Sequence, residues 1–181
     1  PNAGTTGVSG LLVFSSGTTS SGNSGAISIG TGHAQAGGRG GALTLTVGEG
    51  TSGTGGVMRM YAGDSTVRTG GAMYIESGHG SATSSGDISI RTANAGSAGI
   101  SGLLVFSSGT TSSGASGSIS IGSGQALAGK GGDVTLTVGS GNTGSGGFLD
   151  IRAGRTTATD GTGGHLEIAS GEGTTRSSGN I

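Results

Sequence analysis

The chain has no cysteine, a single proline, few aromatic residues and little charge. Without cysteine there is no disulfide framework and no thiolate metal site, and the sequence is compatible with any redox compartment. One proline and no strict three-residue glycine period exclude collagen, although 46 of the 181 residues are glycine. A formal net charge of −1 and a pI near 6.3 supply no electrostatic drive toward nucleic acid or an anionic membrane. No apolar run is long enough for a membrane-spanning helix, which needs about 18 residues.

What the chain has is a repeat within a repeat. A phrase of the form Gly-x-apolar-x-apolar-x-small opens at Gly10, Gly25, Gly41, Gly56, Gly71, Gly86, Gly102, Gly117, Gly132, Gly147, Gly164 and Gly179. Two places after each opening glycine stands a large apolar residue, from Leu12, Ile27, Leu43, Met58 and Met73 through to Ile181. A second follows two further on, from Phe14, Ile29, Leu45, Met60 and Ile75 through to Ile168. Every such position in the chain is filled this way.

Six phrases make a larger unit, and the chain spans nearly two of these. Ser9–Gly22 and Ser101–Gly114 carry the same run, SGLLVFSSGTTSSG. The first residues align in mid-phrase with Asn94-Ala95-Gly96, and Ile181 falls in mid-strand of the repeat. The expectation is therefore a stretch of a longer array, with internal units 1–92 and 93–181, the second incomplete.

Alternation of apolar and other residues within each phrase predicts a short strand with one buried face. The third inward position is small or β-branched, at Ser16, Thr31, Val47, Ala62, Ser77, Thr92, Ser108, Ser123, Val138, Ala153 and either Ala169 or Ser170, so the core tapers along each strand. Disorder is the competing reading, favoured by low aromatic content and abundant Gly, Ser and Thr; the strict apolar registers argue against it. A seven-residue strand with an eight-residue Gly/Ser/Thr/Ala connector closes one turn of a thin parallel β-solenoid. The expected fold is thus all-β, about 15 residues per coil and about 12 coils, one continuous rod over 1–181 with like residues stacked about 4.8 Å apart. In that fold Ile27, Leu43, Met58 and Met73 touch in sequence, and Leu45→Asp unfolds the neighbouring coils. An antiparallel meander or barrel with one strand per phrase is the alternative.

Residue chemistry points to no catalytic, cofactor-binding or metal-ligating assignment. His33, His79 and His165 fall at different phases of the repeat, and none has a partner at ligand spacing. Asp64, Asp87, Asp133, Asp150 and Asp160 do not recur at one phase, as a calcium-binding β-roll requires. Gly37-Gly38-Arg39-Gly40-Gly41 lacks the Lys-Ser/Thr and helix of a phosphate loop and reads as a glycine corner. Asp150 and Glu167 share an outward phase, which suggests a glycosidase-like carboxylate pair. Arg152 beside Asp150 and the lack of aromatic neighbours favour a solvated, partly compensated face.

By its GxIxIxSG phrases and Ser/Thr/Gly connectors, the chain resembles the Gly/Ser/Thr-rich repetitive proteins encoded by diatoms and related protists. That resemblance implies a large secreted or cell-surface repetitive protein without catalytic residues. The functional expectation is a non-enzymatic structural protein of an extracellular filament, fibre or surface coat. Its partners are then copies of itself, end to end or as neighbouring rods, with surface polysaccharide as a further candidate, and neither nucleic acid nor a membrane span. The rival is an ice-binding or glycan-binding, adhesive β-solenoid. The strand face argues against ice, because its outward positions hold no regular rank of hydroxyls. A lyase or hydrolase on a β-helix lacks the long loops and aromatic shelves of such clefts.

Overall fold

The computed structural model describes residues 7–174 and 177–181. The chain divides into two units, Pro1–Ser89 and Ile90–Ile181. Among the described residues there is no strand, no ladder and no helix, hence none long and apolar enough to cross a membrane. The expected β-solenoid is therefore not the fold of this chain, and neither is the meander or barrel.

The physical reason lies in where the backbone bonds close. Parallel stacking requires each residue to pair with its like one whole phrase away. In the first unit Gly71 instead donates its amide to the carbonyl of Gly63 at 2.8 Å, and Gly86 donates to Gly78 at 2.9 Å. The second unit repeats this, with Gly164 donating to Gly154 at 2.9 Å and Gly179 to Gly171 at 3.0 Å. These bonds reach back eight or ten residues, across a connector rather than from phrase to phrase.

Each connector is consequently a loop whose ends meet, the geometry of a compact Ω-type loop. Among the described residues, each connector contains a bend or turn. The bends lie at 20–22, 36–37, 51–53, 66–68 and 81–83 in the first unit, and at 97–99, 112–114, 127–129, 142–145, 158–160 and 174 in the second. Two are closed by hydrogen-bonded four-residue turns. Gly38 donates to Gln35 at 3.2 Å, and Gly161 donates to Ala158 at 3.3 Å. In the first of these both central residues have positive φ, 53° at Ala36 and 82° at Gly37, the requirement of a type I′ turn.

No described residue is buried, and the large apolar side chains remain between 41% exposed at Val47 and 97% exposed at Ile100. Ile27, Leu43, Met58 and Met73, expected to stack on one another, are each about half exposed. The chain presents 17936 Å² to solvent. A compact 16.8 kDa monomer presents roughly 7,700 Å² and an unfolded chain roughly 24,000 Å². Only about a quarter of the unfolded surface is hidden, too little for a shared core. Two to four large apolar side chains per phrase are all there is to bury, against roughly 1–2 kcal/mol of backbone entropy for each residue ordered, with glycine the most costly of all.

Candidate functional site

The feature that recurs is the closure itself. A Cβ built on each opening glycine from Gly25 onward meets the third inward residue of the preceding phrase, or its backbone. In the first unit the pairs are Gly25 with Ser16, Gly41 with Thr31, Gly56 with Val47, Gly71 with Ala62 and Gly86 with Ser77. In the second they are Gly102 with Thr92, Gly117 with Ser108, Gly132 with Ser123, Gly147 with Val138, Gly164 with Ala153 and Gly179 with Ser170. Nine of these eleven separations from the partner side chain lie between 3.2 and 3.6 Å. The two valines come closer, with Val47 Cγ1 at 2.5 Å and Val138 Cγ1 at 2.8 Å from the added atom. At these two openings there is no room for a side chain.

This contact explains the small third inward residue, which the sequence suggested was a core taper. It packs against the next glycine across the loop. The last pair also fixes the register that the sequence left open between Ala169 and Ser170: Ser170 is the residue against Gly179. Thr31 adds a hydrogen bond, its Oγ1 donating to the carbonyl of Gly41 at 3.0 Å.

Hydroxyls within the connectors stabilise the bends. Thr19 Oγ1 accepts from the amide of Ser21 at 3.2 Å and donates to its carbonyl at 2.8 Å; Thr111 and Ser113 repeat both bonds at 3.3 and 2.9 Å. Gly22 and Gly114, next in each copy, have φ of 95° and 99°. Identical sequence in the two units thus produces the same local turn, in which a Ser or Thr oxygen replaces a backbone acceptor. Ser65 does the same for the amides of Val67 and Arg68 at 3.4 and 2.9 Å, and Thr156 for Ala158 at 3.1 Å.

Two local ion pairs form among the described residues. Arg152 Nη2 lies 2.8 Å from Asp150 Oδ2, so one member of the Asp150/Glu167 pair considered above is held by a cation two residues away. Lys130 Nζ lies 2.8 and 2.9 Å from the two oxygens of Asp133. The Lys130–Asp133 pair is largely exposed, and in the other Arg152 is open to solvent while Asp150 is partly covered. No three or more His, Asp or Glu residues gather at metal-binding range among the described residues. Gly37 and Gly38 belong to the turn at Gln35 described above. A surface concavity of about 370 Å³ is lined by Arg91, Thr92, Ala93 and Asn94, four consecutive residues.

No family model, curated protein or solved structure matches the chain. The repeated closure is therefore weighed on its own geometry. Near-equivalent loops, most of them with Ser or Thr at the bend, flank apolar residues that stay open to solvent. Such an arrangement offers many equivalent contact points rather than one cleft.

Proposed function

We propose that the chain is a non-catalytic structural repeat of an extracellular filament, fibre or surface coat, whose partners are other copies of itself. The observation that carries this reading is the recurrence of one local geometry, opening glycine against third inward residue, at eleven successive places. An enzyme concentrates its distinctive residues at one place; this chain distributes one contact along its whole length. The exposed apolar pairs, one in each phrase, give a multivalent surface on which weak individual contacts add through effective concentration. Resemblance to repetitive secreted and cell-surface proteins supports the extracellular assignment.

Immunogold electron microscopy of the native material tests the proposal, with label expected along filaments or a continuous coat. Diffuse label in a soluble fraction, together with inhibition of ice growth or retention on polysaccharide by the purified chain, would transfer the assignment to the binding-module class.

A further inference from the structure

We propose that Leu11-Leu12-Val13-Phe14 and Leu103-Leu104-Val105-Phe106 are the self-association segments of this chain, each pairing with the identical segment of a second copy. The inference rests on the structural reading above and names the contact that would serve it. In these two phrases alone, four consecutive residues are large and apolar. Elsewhere the residue between the two inward positions is polar or charged, as at Ser28, Thr44, Arg59 and Asp150, or is the amphipathic Tyr74. An extended backbone carrying Leu-Leu-Val-Phe has two apolar faces, so it fits between neighbours on both sides. Among the described residues neither face is buried: Val13 and Val105 are each 67% exposed, and all eight residues reach solvent.

Charge distribution identifies the occupant as the same segment of another copy. All eight Lys and Arg and all nine Asp and Glu residues fall within 39–91 and 130–176; none lies in 1–38 or 92–129. In-register pairing of identical segments sets every side chain beside its own copy, so each charge would face a like charge. The two charge-free blocks, each holding one Leu-Leu-Val-Phe, are the parts of the chain that escape this penalty. Leu11–Ser16 and Leu103–Ser108 also contain no proline and no glycine, the pattern of a six-residue segment that stacks into paired sheets. Ala42–Val47 is uncharged and free of glycine too, but its second face is Thr44 and Thr46, which makes it the matched internal control.

The experiment compares the full chain with two double variants, V13K/V105K and T44K/T135K, all four positions lying at the same phase of the repeat. Sedimentation velocity and thioflavin fluorescence give the critical concentration, and fibre diffraction tests for a spacing of about 4.7–4.8 Å between stacked chains. The unsubstituted chain and T44K/T135K are expected to assemble at critical concentrations within about threefold of each other, and V13K/V105K to need at least about tenfold more. A phenylalanine carbonyl label in an F148L background is expected to report neighbours about 4.8 Å apart in the assembled state. Assembly of V13K/V105K at the unsubstituted concentration, equal loss in T44K/T135K, or a chain that stays monomeric would overturn the inference. The first two outcomes leave self-assembly and filament labelling standing and remove only the paired segments, a monomeric chain removes both, and a coat free of label leaves the paired segments intact, so the failures are distinguishable.

Discussion

The amide of Gly71 donates to the carbonyl of Gly63 across 2.8 Å, and the intervening eight-residue step carries the chain around a bend at 66–68. The Ala62 side chain lies 3.5 Å from where a Cβ on Gly71 would stand. One hydrogen bond and one close approach together close the loop, and the same pair of elements recurs along the sequence.

Gly56→Ala tests the close approach. The added methyl would sit 2.5 Å from Val47 Cγ1, and valine is too stiff to swing aside, so the loop is expected to open. Overpacking of this kind costs about 1–3 kcal/mol in a well-packed core; a solvent-exposed loop escapes most of it by separating its ends. The nuclear Overhauser contact between the Val47 methyls and residue 56 should vanish in Gly56→Ala, persist in Gly55→Ala, where nothing lies within 4 Å, and return when Val47→Ala is added.

Ala36 occupies a left-handed conformation, with φ of 53°, that costs a residue bearing a Cβ roughly 1–2 kcal/mol. Ala36→Gly removes that strain and loosens the open chain, leaving a net gain of about 0.5–1 kcal/mol. Exchange of the Gly38 amide, which bonds to Gln35, is expected to slow about two- to fivefold. Unchanged or faster exchange would mean that the turn does not hold the strained residue in place.

Thr19→Ala and Thr111→Ala remove the same oxygen from two copies of one turn. Each should shift the amide resonances of the two residues that follow, by matching amounts, while Thr→Ser at either position preserves them. Overall stability should change by less than about 0.5 kcal/mol, because the groups released are taken up by water.

Asp150→Asn separates a charge effect from a structural one. The ion pair with Arg152 is solvent-exposed enough to be worth about 0–1 kcal/mol, and salt should weaken it further. The Arg152 side-chain resonances are expected to move toward their free values in the variant, and the unsubstituted chain to approach the same values in about 1 M salt.

Leu45 illustrates what the sequence made legible and what it did not. Its place in the repeat is correct: the large apolar residues do share a phase, and the small ones six residues after each opening glycine share another. Alternation tells which side chains lie on one face, but not what covers that face, and here no described residue buries it. Leu45 is about two-thirds exposed, so Leu45→Asp, which would be ruinous in a stacked core, should change the stability of the isolated chain by less than about 0.5 kcal/mol in a denaturant titration. The connectors carried the other lesson. Their length suggested the far side of a coil, whereas the bend within each brings its two ends together. The pairing of Ser170 with Gly179 needed coordinates, because the longer step from Gly147 to Gly164 obscured the phase.

That longer step, and the slightly lengthened ones from Gly25 to Gly41 and from Gly86 to Gly102, end in the same closure as all the others. The extra residues are taken up inside the loop. Because each closure is completed within its own few residues, no distant pairing has to be re-established when the spacing changes. A gene encoding such a chain can slip during replication, gaining or losing a codon or a whole phrase, and the product still closes every loop it contains. Length is then a free variable for selection, adjustable without passing through a misfolded intermediate.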